Sequence, residues 1–152
     1  MGSSLDSLRT VADYQFGAGA GDALFDGEVT VQRTSSGRPQ QILVDGDRIL
    51  SYGVDGRFTL GAAGGHRLQA ALDAPAYRVV VGDDSEPFVR DEKNVFAKFV
   101  REVDPAVRPG DEVLVEHYDG DLLAVGRAEL SADAMLDFDT GMAVKVRDGI
   151  ES

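Results

Sequence analysis

The sequence predicts an α+β protein in two units, a small α+β domain over 1–75 and a β-rich domain with short helices over 76–152. Three observations predict it. Short runs of alternating or wholly apolar β-type residues, separated by Gly, Pro and Asp turns, recur from Leu24 to Leu60 and again from Arg78 onward. Helical spacing is confined to brief stretches between those runs. Asp73-Ala74-Pro75 breaks the second such stretch and reads as a linker. At 152 residues the chain suits one large domain or two small ones, and a chain of this length buries roughly two-thirds of its unfolded surface.

Taken in order, Leu5–Phe16 reads as a helix, with Leu5, Leu8, Val11 and Ala12 at helical spacing and Ser4 as its candidate N-cap. GAGAGD, Gly17–Asp22, is not a dinucleotide fingerprint, because its third glycine falls one place early and no strand precedes it. It reads as a flexible turn. EVTVQRT, QQILV, RILSYGV and RFTL then form an antiparallel meander, with Val29 and Val31 on one face and tight turns at Asp45-Gly46-Asp47 and Asp55-Gly56. GAAGGHRLQAAL, Gly61–Leu72, regains helical character, with Leu68, Ala71 and Leu72 as its apolar stripe.

The second unit opens at Tyr77 with the strand RVVV. A Gly82-Asp83-Asp84 turn follows, and Ser85 is placed to cap a short helix over Glu86–Glu92. NVFAKFV, Asn94–Val100, reads as one strand. Its alternation puts Phe96 and Lys98 on one face and Val95, Ala97 and Phe99 on the other. EVLVEH, DLLAVGRAEL and GMAVKVR give three more strands. Ser131 caps the helix ADAMLDF, which Gly141 stops. On the last strand Met142, Val144 and Val146 point inward, leaving Ala143, Lys145 and Arg147 outside.

Composition excludes several functions. There is no cysteine, hence no disulfide, zinc knuckle or thiol nucleophile. The longest apolar runs are a few residues, so no membrane partner is expected, and the N-terminal stretch lacks the pattern of a signal peptide; a cytoplasmic protein is expected. Acidic residues number 27 against 15 basic ones, a net charge of −12 and a pI near 4.4. Only Lys93, Lys98 and Lys145 are lysines. Such acidity, with arginine favoured over lysine, suits a protein working in concentrated salt, where the Debye length falls to about 3 Å at 1 M. In that medium phosphate attraction contributes little, and net charge does not decide whether nucleic acid is a partner.

No arrangement of Ser, His and Asp suggests a nucleophile, and no catalytic residue is assigned. His66 and His117 fall in different halves and make a poor metal site; neither a metal nor another cofactor is expected. The Asp-Asp and Asp-Gly-Asp pairs read as solvated turns. The basic residues are more informative. Between Arg90 and Arg101 the basic side chains are Arg90, Lys93, Lys98 and Arg101, set against Asp91 and Glu92. An aromatic platform beside a cation is suited to stacking an unpaired base, worth about 1–3 kcal/mol per base and tolerant of salt. The competing expectation is that Phe96 fills the core.

The order strand, short helix, Val-Phe strand, Pro-Gly-Asp-Glu-Val turn, Ala-Val-Gly strand, helix and Gly-x-Ala-Val-x-Val strand resembles the PUA domain, an RNA-binding module. RPGDEVLV, LLAVGRAELSADAM and GMAVKVRDG carry the likeness. DYQFGAG, DGRFTL and PAYRVVV are similar to the small α+β domain that precedes PUA in archaeosine tRNA-guanine transglycosylases, whose large catalytic barrel has no counterpart here. The resemblance implies a PUA-type β pseudo-barrel after a pre-PUA α+β domain, and the composition resembles that of halophilic archaea. It implies an RNA-binding protein and not an enzyme in itself, engaging tRNA or another structured RNA, with a tRNA-modifying enzyme as partner and no DNA expected. By the family's RNA face, Arg90, Lys93, Asn94, Phe96, Lys98, Lys145 and Arg147 are the expected contacts. Glu92 departs from the family, which usually has glycine at that turn. A PUA fold that has lost RNA affinity and serves as a protein-interaction module is the alternative.

Overall fold

A computed structural model describes residues 3–37, 39–52 and 57–150, and the Asp55-Gly56 turn lies outside them. The chain separates into two compact units that divide between Leu72 and Asp73. Helices and sheets are both present, as expected.

In the first unit α1 (Ser3–Phe16) buries Leu8, Ala12 and Phe16, one per turn along a single stripe. Ser4 lies inside this helix and so is not at its cap position. The expected flexible turn is shorter than predicted: it covers Gly17–Gly19, and α2 (Ala20–Leu24) follows at once. Asp13 Oδ1 anchors that second helix by accepting from the Gly21 amide at 2.7 Å. Strands β1 (Val29–Arg33), β2 (Pro39–Val44), β3 (Asp47–Tyr52) and β4 (Phe58–Leu60) form the predicted antiparallel meander, in sequential order. The side-chain amide of Gln15 accepts from the Phe58 amide and donates to its carbonyl, both at 2.8 Å, and so satisfies the open edge of β4.

Helix α3 (Ala62–Ala71) lies on β3, and its inward face differs from the predicted stripe. Leu68 is buried, whereas Ala71 is exposed and Leu72 caps the helix. Gly64 and Gly65 take the inward places, and a Cβ at Gly64 would sit 2.2 Å from the Ile49 carbonyl. Helix meets strand backbone to backbone there. Counting apolar side chains misses a face whose apolar group is the absence of one.

The second unit is a six-stranded sheet that curls into a half-barrel, in the order β6-β10-β9-β8-β5-β7. Its strands are β5 (Arg78–Val81), β6 (Val95–Phe96), β7 (Glu102–Val103), β8 (Glu112–His117), β9 (Leu122–Ala128) and β10 (Met142–Gly149). Only β5 and β8 run parallel. Two short helices, α4 (Glu86–Arg90) and α5 (Ala132–Asp137), cover the sheet. Val79, Val81, Val89, Val113, Val115, Leu123, Met135 and Val144 lead its core. Ser131 caps α5 as predicted, accepting from the Ala134 amide at 3.2 Å. Ser85 precedes α4 but makes no capping hydrogen bond with its side chain, and α4 ends at Arg90.

All six residues of β8 are buried, including Glu112, Glu116 and His117. Each of the two glutamates has an arginine. Arg78 Nε donates to Glu116 at 2.8 Å, and the Arg147 guanidinium grips Glu112 with both prongs at 2.6 and 2.8 Å. A buried carboxylate demands such a partner, and the planar fork of arginine supplies it.

Candidate nucleic-acid interface

The segment after α4 carries most of the candidate contacts, and its backbone explains their placement. Asp91 caps the helix, and Glu92 takes φ +66°, in the left-handed region. The Lys93 amide donates to the Phe88 carbonyl and the Glu92 amide to Val89, the bond pattern of a Schellman stop. Glycine is the usual residue in that conformation, because a side chain there costs about 1–2 kcal/mol.

The stop is sewn to the end of β10. Arg90 Nη1 donates to the Ile150 carbonyl at 2.8 Å, the Gly149 amide to Glu92 at 3.2 Å, and the Val146 amide to Asn94 Oδ1 at 3.0 Å. A Cβ at Gly149 would lie 2.1 Å from the Arg90 carbonyl, so this approach requires glycine. β6 pairs directly with β10, Phe96 opposite Met142 and Val95 opposite Val144. The two segments singled out in the sequence are therefore neighbours.

Beyond Phe96 the chain departs from the predicted strand. β6 holds only Val95 and Phe96, and Ala97–Phe99 form a 3₁₀ turn. Val95 and Ala97 point inward and Phe96 and Lys98 outward, as predicted, but the turn swings Phe99 outward too. Phe96 does not fill the core: it is 47% exposed, and Phe99 is 40% exposed. With Phe88, 61% exposed on the first turn of α4, they surround a groove of about 660 Å³ whose lining includes Ser85, Lys93 and Asn94. Lys98 Nζ stands 5.1 Å from the centre of the Phe99 ring, within cation–π range. Exposed aromatic surface of this kind makes the groove a candidate for ligand contact.

Residues 6–75 match the patch-forming domain C2 of tRNA-guanine transglycosylase, and residues 77–150 match the PUA domain. The chain thus carries a C2-type domain followed by a PUA domain. It is similar to the tRNA-guanine(15) transglycosylases of Methanothermobacter thermautotrophicus (45% identical over 147 residues) and Pyrococcus furiosus (46% over 145 residues). Each match takes in 95% of this chain but only 22% and 24% of the relative. The chain thus spans about a quarter of the length of these relatives, their C-terminal, non-catalytic part. In fold it is similar to a protein from Pyrococcus horikoshii, with a TM-score of 0.76 at 23% identity over 98% of this chain and 91% of that one. A PUA domain from Aeropyrum pernix gives 0.72 at 20% identity, over 100% of this chain and 84% of that one.

Within the PUA unit the seven expected contacts fall into three groups. Lys93, Asn94 and Phe96 line the groove, and Lys98 stands beside it on Phe99. Lys145 is exposed on β10, opposite Arg127 of β9. Arg90 and Arg147 are taken up inside the domain, by Glu86 and Ile150 and by Glu112 respectively. The expected outward alternation of Ala143, Lys145 and Arg147 also breaks down: Ala143 is fully buried, and a register shift follows Val146. Phe88 went unnoticed in the sequence, where Ser85-Glu86-Pro87-Phe88 reads only as a helix start. Its signal was a phenylalanine on the first turn of a helix too short to bury it.

A second polar cluster lies at the end of β8. His117 Nε2 meets Asp83 Oδ1 at 2.5 Å, and the Tyr118 hydroxyl donates to Asp83 Oδ2 at 3.2 Å. The Asp83 hydrogen bond holds the imidazole above its usual pKa of 6.5, and the same bond holds Asp83 below 3.8. The negative charge of Asp83 raises Tyr118, over whose ring Arg101 lies at 4.8 Å. A backbone hydrogen bond from Asp121 holds Asp119 below its usual value. His66, in the other unit, is exposed.

Proposed function

We propose that the PUA unit binds RNA, taking an unpaired terminal or looped-out base of a structured RNA, tRNA foremost, into the Phe88–Phe96–Phe99 groove. Lys93 and Lys98 meet the backbone beside the groove, and Lys145 extends the contact along β10. The observation that carries this reading is the coincidence of three exposed phenylalanines with two of the three lysines of the chain. Stacking suits a salt-rich medium because it survives salt that weakens phosphate contacts, and it reads shape and unpaired bases more than sequence. The likeness to a quarter of the tRNA-guanine(15) transglycosylases supports a role in tRNA modification, in which this chain supplies the RNA grip and a catalytic transferase the chemistry.

Filter binding of tRNA in about 1 M salt tests it. Saturable binding is expected, weakened about 5- to 150-fold by Phe96→Ala with Lys98→Ala, the span that loss of one stacked base implies. Absence of saturable binding, or binding indifferent to that pair, overturns the reading; capture of a protein partner without RNA then identifies an interaction module.

The net charge of −12 further supports a halophilic, cytoplasmic setting. Thermal unfolding is expected to shift upward between about 0.1 M and 2 M KCl as screening relieves carboxylate repulsion. A flat or falling midpoint contradicts it.

A further inference from the structure

The turn after β5, the start of α4 and the end of β8 bring together three side chains that the RNA groove does not use. The His117 side chain is only 5% exposed, and its Nε2 faces Asp83 Oδ1 at 2.5 Å and Glu86 Oε1 at 4.0 Å. One ligand-type atom from each of the three lies within 4.8 Å of the other two. An ion held at about 2.1 Å by imidazole nitrogen and carboxylate oxygen sets ligand atoms about 3.4 Å apart in a tetrahedral shell, and about 3 to 4.2 Å apart in an octahedral one. The Asp83–His117 contact must open and the longer spacings must close slightly, and Asp83 is 74% exposed on a turn, where such shifts meet little resistance.

What distinguishes this cluster from ordinary ion pairing is how the far side of each group is held. Arg90 binds Glu86 Oε2 through Nε and Nη2 at 3.0 and 2.9 Å, leaving Oε1 turned toward the imidazole. Tyr118 holds Asp83 Oδ2, leaving Oδ1 toward the same point. Asp119 Oδ1 lies 3.1 Å from His117 Nδ1. Histidines that ligate metals usually donate their second ring N–H to a carboxylate in this way, which fixes the ring and raises its basicity. The Asp119 amide also reaches Nδ1, at 3.1 Å, so in the metal-free protein Nε2 carries the proton and donates it to Asp83. Binding exchanges that tautomer for the one with Nδ1–H donated to the Asp119 carboxylate, and the Asp119 amide then turns away from Nδ1.

We propose that Asp83, Glu86 and His117 form a site for a divalent transition-metal cation, fastening the start of α4 to the end of β8. One imidazole and two carboxylates without a thiol suit Zn²⁺ or Mn²⁺ over Mg²⁺ and Ca²⁺, which favour all-oxygen shells. The sequence offers no hint of it, because its two histidines are far apart and the carboxylates come from another turn.

The test uses the whole chain, stripped with EDTA and titrated with Zn²⁺ in excess Mg²⁺, which occupies weak sites on the acidic surface. Calorimetry is expected to give one equivalent. The imidazole resonances of His117 shift, while those of His66 serve as an internal control and stay fixed. Asp83→Asn, at an exposed position that leaves the fold intact, weakens binding at least tenfold, and His117→Gln abolishes it. Asp119→Ala removes no ligand yet lowers affinity about 10- to 100-fold by releasing the ring. Binding that never saturates, that is indifferent to Asp83→Asn, or that leaves the His117 resonances unmoved overturns the proposal.

Discussion

The two sides of the α4–β10 junction use their cations in opposite ways. On the inner side, Arg90 ties Glu86 to the Ile150 carbonyl, and Arg147 holds Glu112, whose side chain is only 3% exposed. On the groove side, Lys93, Lys98 and Lys145 are exposed, and none is engaged by a hydrogen bond or ion pair among the described residues. Charge alone ranked all five alike. Their geometry separates them, because a planar fork can satisfy a buried carboxylate from two directions, whereas an ammonium on a flexible stem is best left to a mobile ligand. At this junction the two arginines hold the fold together, and the three lysines are left exposed.

The sharpest way to break that comparison is Arg147→Ala. It removes the two-pronged partner of the buried Glu112 carboxylate, and a loss of about 3–5 kcal/mol is expected, read as a shift of the denaturant midpoint at constant slope. Lys145→Ala, two residues away, is expected to stay within about 0.5 kcal/mol of the parent while weakening tRNA binding. Equal stability losses in the two variants would erase the distinction.

Phe96→Ala with Lys98→Ala comes next. Its expected effect on affinity is large, as given above, and its effect on stability small, since both side chains lie outside the core. A melting temperature that falls along with affinity would return Phe96 to a packing role.

Glu92→Gly sharpens the comparison from the third side. Relief of the left-handed strain is offset by lost backbone restriction and by loss of the bond from the Gly149 amide, so the net change in stability stays below about 1 kcal/mol. RNA affinity is expected to rise a few-fold as a carboxylate leaves the groove margin, which parallel binding isotherms would show. Tighter binding by the parent would mean that Glu92 is itself a contact.

The smallest effect is that of pH on the metal-free protein. His117 is raised, so its contribution is complete below about 6.5 and is lost as pH climbs through its folded value. Asp83 is lowered, so its contribution is present above about 3.8 and is lost as pH falls through its folded value. Glu86, Asp119, Tyr118 and Arg101 surround the pair. With chelator present, the stability difference between parent and His117→Gln is therefore largest between those limits. A difference that grows toward pH 9 would contradict the assigned directions.

Much of this was legible in the chain. The meander, the core strand RVVV and the Ser131 cap follow from residue type and spacing, and the pairing of the Val95–Phe96 segment with the last strand follows from the family resemblance. The failures share a cause. Phe99 was assigned inward because alternation holds only while a strand lasts, and this one yields to a 3₁₀ turn after Phe96. Ala143 was assigned outward because a register shift is invisible to a strict period of two. The inner face of α3 was missed because Gly64 packs by having no side chain.

By itself the sequence determined the α+β class, the succession of strands along the chain and the segments that carry its cations, since these rest on local periodicity and composition, while its motifs carried the family resemblance. The tertiary structure alone decided which cations face outward, why Glu92 stands at a position that favours glycine, and how Asp83 and Glu86 reach His117. Those outcomes depend on which chain segments become neighbours, and pairing across the sheet is set by closure of the whole barrel rather than by any window of residues.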